Sequence, residues 1–356
     1  MKKRVVALGG DGVGPEIMEV TGEILRKASF DLEILEPLHG EAAMKLGKEV
    51  FTEEVKNLCL QADAILFGAQ GGISRPILDF LRWGLDNFVN IRPAKYYLGV
   101  ESPLKDPKGI DFVILRENTE GEYPAREGEL SLLAQALPEF KDRLGKKFSE
   151  FGPGKFAVRV VSEKGVKRLA EYACIFARER KKQRYPGKIT IVTKSNVLTQ
   201  SDGLFQRIVT EECQRNPDLV YEHFYVDDAA RRLVRFPRSF DVIVTPNLYG
   251  DILADEAAEL VGGLGLAPSA VIGGKKPYFE PVHGSAPDIA GKGIVNPTAM
   301  ILSAKMMLDH LNMKEEALAL ERAVAEVYKE GKYLTPDQGG KASTKEFAQA
   351  VLRKIH

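Results

Sequence analysis

Two acidic residues with metal-binding spacing, Asp251 and Asp255, lie in the segment 247–255, which reads NLYGDILAD. The strand-like run 240–245 precedes this segment, so the pair is expected where a strand passes into a helix. Residues four positions apart share one face of a helix. Two carboxylates on a rigid face suit a hard divalent cation such as Mg²⁺ or Mn²⁺, which prefers oxygen ligands. A solvated helix start, where Asp favours the helix dipole, is the alternative interpretation.

Two further charged residues follow predicted strands. Asp227 comes after the run 220–226 and is the natural third metal carboxylate. Lys194 comes after the run 189–192, at the strand end where open α/β sheets bind ligands. A lysine in such a place can move a proton if its pKa falls, whereas an isolated lysine is more often solvated.

Three arginines and a tyrosine extend the candidate site. Arg82 lies in a predicted helix, Arg92 follows ten residues later, and Arg116 ends the buried run 112–115. Guanidinium groups bind carboxylates through paired hydrogen bonds, so three converging arginines would bind a di- or tricarboxylate. Tyr123 is a candidate proton donor, especially beside a cation that lowers its pKa. A surface ion pair for each arginine and a loop-edge packing role for Tyr123 are the alternatives.

Two glycine-containing segments bear on nucleotide binding. The segment 9–16 reads GGDGVGPE and fails the G-x-G-x-x-G pattern, because Pro15 stands where the last glycine belongs. A nicotinamide cofactor is therefore not expected to bind in the Rossmann manner. The segment 280–291, which reads EPVHGSAPDIAG, suits a loop around an adenosine. Asp288 would hold the ribose hydroxyls and repel a 2′-phosphate, although a rigid turn is the alternative interpretation.

The composition excludes several classes of protein. Fifty basic and fifty acidic side chains cancel, so no net field favours nucleic acid or a membrane surface. No apolar run reaches the length of about 18 residues that a bilayer span needs, and the N-terminus reads as a strand and not as a signal peptide. The three separated cysteines follow no metal-ligand spacing. These features predict a cytoplasmic protein with reduced thiols.

Strand and helix patterns alternate along the 356 residues, which predicts an α/β fold with a largely parallel sheet. The segment 124–160 breaks the alternation and is expected to be an arm that serves dimerisation. Residues 1–95 and 262–356 are predicted to form one lobe, on the cofactor side, and residues 96–261 the substrate, metal and dimerisation lobe. Strands are predicted at 4–8, 32–35, 64–67, 112–115, 189–192, 220–226 and 242–245, and helices at 76–87, 297–310, 314–329 and 344–354.

Six separated motifs, from residues 9–16 to residues 335–340, resemble in order those of the β-decarboxylating dehydrogenases, the isocitrate/isopropylmalate dehydrogenase family. The resemblance implies a two-lobed isopropylmalate-dehydrogenase-like fold with a shared, partly parallel sheet. It assigns substrate binding to Arg82, Arg92 and Arg116, acid–base catalysis to Tyr123 and Lys194, metal binding to Asp227, Asp251 and Asp255, and cofactor binding to His283, Gly284, Ser285, Ala286, Asp288, Asn296 and Asp337.

The resemblance also implies partners and cofactors. Members of this family are dimers or larger homo-oligomers, and each site takes a lysine and an aspartate from the neighbouring chain. By that analogy Lys194 and Asp227 would serve a neighbour's site. Asp288 matches the NAD-using pattern, and Mg²⁺ or Mn²⁺ is the expected metal. The implied reaction is the NAD-linked oxidative decarboxylation of a 2-hydroxy acid that carries a 3-carboxylate.

The substrate is predicted from the residues before Arg82, where family members differ. Isopropylmalate enzymes place adjacent leucines there and isocitrate enzymes commonly place Ser and Asn, whereas this chain has Leu78 and Asp79. Asp79 either pairs with Arg82 or lines the pocket, with Arg75 as compensation. The motifs RENTEG and NLYGD favour an isocitrate or homoisocitrate type of substrate. The alternatives are 3-isopropylmalate, tartrate or D-malate, and a non-catalytic regulatory subunit of a heteromeric isocitrate dehydrogenase.

Overall fold

The computed structural model describes residues 2–355, which form a ten-stranded sheet, a small two-stranded sheet and flanking helices. The strands are β1 Lys3–Gly10, β2 Leu32–Leu35, β3 Ala64–Ala69, β4 Val89–Lys95, β5 Asp111–Glu117, β6 Glu127–Glu129, β7 Lys155–Ala157, β8 Lys188–Thr193, β9 Val220–Tyr225, β10 Val242–Thr245, β11 Pro268–Ile272 and β12 Tyr278–Pro281. The helices are α1 Gly14–Lys27, α2 Gly40–Lys45, α3 Glu53–Gln61, α4 Arg75–Asp79, α5 Leu130–Ala136, α6 Glu163–Lys182, α7 Ser201–Gln214, α8 Val226–Arg235, α9 Asn247–Leu260, α10 Thr298–His310, α11 Lys314–Glu330 and α12 Thr344–Leu352.

The large sheet is parallel at both ends and antiparallel in the middle. Its strand order is β2-β1-β3-β12-β11-β4-β5-β10-β8-β9. The pairs β12–β11, β11–β4 and β4–β5 are antiparallel, and the remaining neighbours run parallel. The prediction of an α/β fold with a partly parallel sheet is therefore confirmed. Within residues 2–355, no helix combines the length and apolar character that crossing a membrane requires.

The three central strands β4, β11 and β12 were missed by the sequence prediction. Each contains a proline, Pro93, Pro268 or Pro281, and proline within a sequence argues against a central strand because it cannot donate to the ladder. Pro268 begins its strand and Pro281 ends its strand, so each occupies a strand end. Their place in the sheet follows from long-range pairing, which local patterns do not encode.

Two local predictions near the site were also wrong in detail. The predicted helix 76–87 is the short α4 followed by a π-helical turn, Phe80–Gly84. Val226 begins α8 and does not extend β9, so Asp227 lies in the first turn of a helix. The predicted helices 297–310, 314–329 and 344–354 correspond closely to α10, α11 and α12.

The glycine segment after β1 forms the predicted tight turn. Gly10 has φ +78°, and a Cβ there would lie 2.2 Å from the carbonyl oxygen of Ala69, so only glycine fits. The buried side chain of Asp11 accepts hydrogen bonds from the backbone N–H groups of Gly71, at 2.9 Å, and Ser74, at 2.8 Å. The turn is thereby fastened to the loop that follows β3.

The segment 124–160 forms a small unit of its own. Strands β6 and β7 pair only with each other, and α5 follows β6 directly. Six large apolar side chains of this segment are exposed, namely Leu132, Leu137, Phe140, Leu144, Phe151 and Val158. Exposed apolar groups of this size are typical of an interaction surface, which is what the predicted dimerisation arm requires.

A buried ion pair joins α6 to Asp241, the residue immediately before β10. Arg180 Nε donates to Asp241 Oδ1 at 2.6 Å, and Asp241 also accepts from the N–H of Gly187 at 2.7 Å. The side chain of Asp241 is 0% exposed, so its charge depends on these partners. Arg178, on the same helix, makes a solvent-exposed pair with Asp218.

We expect Arg180→Met to lower the free energy of unfolding by about 3–5 kcal/mol, because it leaves a buried carboxylate without its cation. Arg178→Met is the matched control and should leave the urea midpoint unchanged, since exposed pairs are screened by water. Urea unfolding monitored by circular dichroism measures both. Equal urea midpoints for the two variants would contradict the structural importance of the Arg180–Asp241 pair.

Candidate active site

The register of β4 and β5 places two of the predicted arginines on one face of the sheet. Arg92 lies opposite Ile114, and Arg116 lies opposite Asn90, so the two arginines are diagonal neighbours on the same face. The next strand, β10, leads directly into α9, which carries the paired acids. A Cβ at Gly250 would lie 2.7 Å from the Cβ of Arg116, so glycine lets α9 come close to this arginine.

Asp251 forms the centre of the site. Arg92 Nη1 donates to its Oδ1 at 2.8 Å, and Arg116 Nη1 donates to the same oxygen. Arg116 is held in place by Asn247, whose Oδ1 accepts from Nε at 2.9 Å and from Nη2 at 2.7 Å. Arg92 and Arg116 are 8% and 1% exposed, so both charges are almost fully desolvated. Asn247 is a site residue whose role the sequence reasoning missed.

Arg82 reaches the same cluster from the π-helical turn. Its guanidinium carbon lies 5.5 Å from the centre of the Tyr123 ring, and that of Arg116 lies 4.5 Å from the same ring. Burial would lower the pKa of Arg82, but the neighbouring Tyr278 and Glu280 outweigh burial and raise it. The predicted convergence of Arg82, Arg92 and Arg116 is therefore present. π-turns recur at functional sites because they redirect side chains.

Glu280 is a second residue that the sequence reasoning missed. It lies in β12, is 9% exposed, and faces the positive charges of all three arginines. Burial raises its pKa, and the arginines only partly oppose that effect. The only local signal was an acid within an otherwise apolar strand. Its role in balancing charge depends on β12 lying in the middle of the sheet.

Tyr123 donates a hydrogen bond from its hydroxyl to Asp251 Oδ2. Burial raises the pKa of Tyr123; Arg116 acts in the opposite direction, and the bond to Asp251 raises the pKa further. The expected lowering by neighbouring cations is present, from Arg116 and Arg82, but burial and Asp251 outweigh it. The hydroxyl keeps its proton near pH 7 and can act as a proton donor.

The pKa values of the two acids of α9 are shifted in opposite directions. Burial would raise the pKa of Asp251, but Arg116 and Arg92 outweigh burial, so the pKa lies below its usual value of 3.8. Burial raises the pKa of Asp255, which lies 3.9 Å from Arg92 and next to the negative charge of Asp251. A bound divalent cation would relieve this repulsion, so the pair fits two ligands of a metal ion with oxygen preference.

Lys194 and Asp227 lie apart from this cluster. The Lys194 ammonium contacts the Asp227 carboxylate, and neither is among the main causes of the pKa shifts of Asp251 and Asp255. No group of three His, Cys, Asp or Glu residues within 2–355 is arranged to hold a metal ion. One chain therefore does not bring the predicted third carboxylate to the metal position. Asp227 is 67% exposed and accessible to a second copy.

The predicted cofactor residues mostly follow β12. Val13 donates its backbone N–H to the carbonyl oxygen of Ser285 at 3.0 Å, so the glycine turn and this loop touch. His283 Nδ1 lies 3.0 Å from the Gly284 carbonyl oxygen, and its buried Nε2 has no partner within residues 2–355. Burial lowers the pKa of His283, so the ring is neutral near pH 7. Gly284 and Asp288 are exposed, and Ala286 has φ +36°.

Asn296 and Asp337 meet beside this loop, although 41 positions separate them. Asn296 Nδ2 donates to Asp337 Oδ2 at 2.9 Å and to the hydroxyl of Tyr328 at 3.0 Å. The negative charge of Asp337 also acts on His283. The unpartnered His283 nitrogen, the exposed backbone and the nearby carboxylate are compatible with a loop that wraps a nucleotide.

Leu78 and Asp79, the residues expected to select the substrate, lie on different sides of α4. Leu78 is 8% exposed and packs in a cluster with the fully buried Leu81. Asp79 Oδ1 accepts from Arg75 Nε at 2.7 Å on the exposed side of α4. The predicted Asp79–Arg82 pair is therefore wrong, because the π-turn directs Arg82 into the interior while α4 aligns Asp79 with Arg75.

An α/β sheet with arginines, a tyrosine and paired acids on one face defines an enzyme site for a small carboxylate ligand. The sequence profile described as isocitrate/isopropylmalate dehydrogenase matches residues 4–351, and the chain belongs to this family. It is a β-decarboxylating dehydrogenase, and its family generally uses NAD and a divalent metal ion. The expected fold family and enzyme class are confirmed.

Named relatives cover nearly the whole chain. A 3-isopropylmalate/3-methylmalate dehydrogenase of Methanocaldococcus jannaschii is 41% identical over 352 residues, 99% of this chain and 98% of the relative. A 3-isopropylmalate dehydrogenase of Archaeoglobus fulgidus is 41% identical over 349 residues, 98% of each chain. The solved structure of an isocitrate dehydrogenase from Methylococcus capsulatus has a TM-score of 0.85 and 34% identity and covers 99% of each chain.

We expect the stability that Asp251 contributes to depend on pH with a defined sign. Its folded-state pKa is lowered, so the contribution is present above pH about 4 and is lost as pH falls through the folded pKa. Asp251→Asn should therefore be less stable than the wild type at pH 7, and the difference should shrink on acidification. Asp255→Asn is the control and should not destabilise at pH 7, because the pKa of Asp255 is raised. Urea unfolding between pH 3 and 7 tests both signs.

Proposed function

We propose that this chain catalyses the NAD-linked, Mg²⁺- or Mn²⁺-dependent oxidative decarboxylation of a malate substituted at C3, with 3-isopropylmalate as the leading candidate. The observation that carries the reaction type is the convergence of Arg82, Arg92 and Arg116 on Asp251 and Tyr123. Three buried cations exceed the charge of one aspartate, so the site has capacity for the two carboxylates of a substituted malate.

The names of the relatives support the choice of substrate. Those at 41% identity are named 3-isopropylmalate dehydrogenase, one of them also 3-methylmalate dehydrogenase. They favour 3-isopropylmalate over the isocitrate or homoisocitrate substrate that the sequence motifs suggested. The buried, apolar Leu78 before Arg82 is compatible with an apolar substituent.

A more polar substituent is the second candidate. Asp79 stands where isopropylmalate enzymes carry the second of two leucines, and it is paired with Arg75. This ion pair is half-exposed, so Arg75 can exchange Asp79 for an additional substrate carboxylate at little cost. Isocitrate and homoisocitrate carry such a group, and they remain the alternative substrates to compare.

The proposed roles follow from the positions of the side chains. The arginines hold the carboxylates, and Tyr123, whose raised pKa keeps it protonated, donates a proton to the carbon that loses CO₂. Lys194 is assigned to the removal of the hydroxyl proton. Asp251 and Asp255 would hold the metal ion, which when bound stabilises negative charge on the substrate oxygens.

The third metal carboxylate and the lysine are proposed to come from a second copy. Asp227 and Lys194 pair on the surface and do not reach Asp251 within one chain. A homodimer or larger homo-oligomer would complete each site, with the arm at 124–160 contributing to the contact. We assign residues 96–261 to the substrate, metal and dimerisation lobe and residues 1–95 with 262–356 to the cofactor lobe.

The cofactor is proposed to be NAD, bound by the loop after β12 together with Asn296 and Asp337. The exposed Asp288 carboxylate would accept hydrogen bonds from ribose hydroxyls and repel a 2′-phosphate. The three free, buried cysteines are compatible with the proposed cytoplasmic location.

We expect NADH formation at 340 nm when the purified chain is given NAD, Mg²⁺ and 3-isopropylmalate, with kcat/KM higher than for isocitrate, homoisocitrate, D-malate or tartrate. EDTA should abolish the activity, and added Mg²⁺ or Mn²⁺ should restore it, because two α9 carboxylates need a cation to act on the substrate. Preference for isocitrate or homoisocitrate would reject the leading substrate but keep the reaction. No NADH formation with any of these acids would reject the proposed function.

Shared sites predict complementation between two inactive variants. Lys194→Met and Tyr123→Phe should each lose most activity as homo-oligomers. Co-expressed chains should recover roughly a quarter of wild-type activity, because half of the sites in a mixed dimer receive both intact residues and half of the dimers are mixed. Differently tagged chains, purified in two steps, allow the mixed species to be assayed directly. No recovery in that species would place Lys194 and Tyr123 in the same chain's site.

A further inference from the structure

We propose that Arg159 is a positioning residue that connects the segments bearing Tyr123, Asp251 and Lys194. This inference rests on the proposed function, because that function assigns these three residues to one reaction. Arg159 lies just before α6 and its side chain is only 13% exposed. No substrate contact is attributed to it. Its effect is exerted through three neighbours, one on each of the connected segments.

The first neighbour is Glu122, which immediately precedes Tyr123. Arg159 Nε lies 3.3 Å from Glu122 Oε1. The adjoining backbone reinforces this contact, since Gly121 donates its N–H to the carbonyl oxygen of Val160 at 2.9 Å. The loop that carries Tyr123 is therefore held against the segment that carries Arg159.

The second neighbour is Asp202, in the first turn of α7. Arg159 Nη1 lies 2.9 Å from Asp202 Oδ1, and the Asp202 side chain is 0% exposed. The other carboxylate oxygen, Oδ2, accepts a hydrogen bond from the backbone N–H of Lys194 at 2.6 Å. The orientation of the Lys194 turn thus depends on a buried carboxylate whose charge Arg159 balances.

The third neighbour is Tyr249, two residues before Asp251 on α9. Arg159 Nη1 donates to the Tyr249 hydroxyl at 3.0 Å, and the guanidinium carbon lies 4.9 Å from the ring centre. A buried cation over an aromatic face is an attractive and orienting contact. One guanidinium therefore touches a residue on each of the three segments that carry the proposed chemistry.

The alternative is that Arg159 only neutralises Asp202 and stabilises the fold. Two observations favour positioning in addition. Arg159 contacts Glu122, Asp202 and Tyr249 together, so the side chain is shared between partners and not committed to one carboxylate. If Lys194 serves a second copy's site, Arg159 also connects the two sites of the assembly. The Lys194 backbone bond to Asp202 gives a direct route from Arg159 to that residue.

The test compares Arg159→Met with the conservative Arg159→Lys and with Arg207→Met, an exposed control on α7 that pairs with Glu211. We expect Arg159→Met to reduce kcat by about 10- to 100-fold, since small misplacement of catalytic groups is costly. KM should change by less than about threefold, because the arginines that bind substrate are untouched. The pH profile of kcat should shift, Arg159→Lys should restore part of the loss, and Arg207→Met should match the wild type. Wild-type kcat and pH profile in Arg159→Met would overturn the proposal.

A double-mutant cycle with Asp202→Asn separates positioning from charge balance and covers the case in which Arg159→Met alone folds poorly. Asn can still accept the bond from Lys194 N–H, and the double variant buries no unpaired charge. We expect the double variant to fold and to lose about as much kcat as Arg159→Met. Full wild-type kcat in the double variant would show that Arg159 only balances Asp202 and would overturn the proposal.

Amide hydrogen exchange supplies a measurement that needs no turnover. In the full-length protein without substrate, peptides containing Lys194 and Tyr123 should exchange faster in Arg159→Met/Asp202→Asn than in the wild type, while peptides from β1 remain protected. This result would support the connection even if no acid in the panel were oxidised, in which case only the proposed function fails. Unchanged exchange in both peptides would overturn the connection even in an active enzyme.

Discussion

Three buried arginines around a single aspartate are the interaction on which the site depends. Arg82, Arg92 and Arg116 are each less than a tenth exposed, and like charges in such a place repel one another unless anions lie between them. Burial, followed by the charge of Arg92, lowers the pKa of Arg116 to about 10. Asp251 supplies one compensating charge, and Glu280 is a second acid beside the arginines, with a pKa raised by burial. An excess of buried guanidinium groups of this kind suits carboxylate ligands.

The antiparallel centre of the sheet makes this clustering possible. Pairing of β4 with β5 places Arg92 and Arg116 on one face of the sheet. Strand β10 runs parallel to β5 and leads into α9, which lies over these arginines. On the far side, β12 brings Glu280 into the field of the same arginines. A sheet that was parallel throughout would carry the chain out of the layer after each strand and place a helix connection between β4 and β5.

The separation of Lys194 and Asp227 from Asp251 has a structural consequence. Within one chain these two residues form an ion pair at the surface. Among residues 2–355, no third His, Cys, Asp or Glu joins the α9 carboxylates in a metal-binding arrangement. If a second copy supplied Lys194 and Asp227, their mutual ion pair would be replaced by contacts of Lys194 with the substrate and of Asp227 with the metal ion. In that arrangement Arg159 links a chain's own Tyr123 and Asp251 to the Lys194 that it lends.

Local sequence determined the outer strands, the three C-terminal helices and the kinds of side chain in the site, because hydrophobic period and motif spacing act over a few residues. The central strands β4, β11 and β12, the partner of Asp79 and the contributions of Asn247, Glu280 and Arg159 depended on the folded chain. Arg116 and Asn247, for example, are 131 positions apart. Such contacts form only after distant strands have paired in the sheet. No local sequence pattern specifies which distant residue will contact a given side chain.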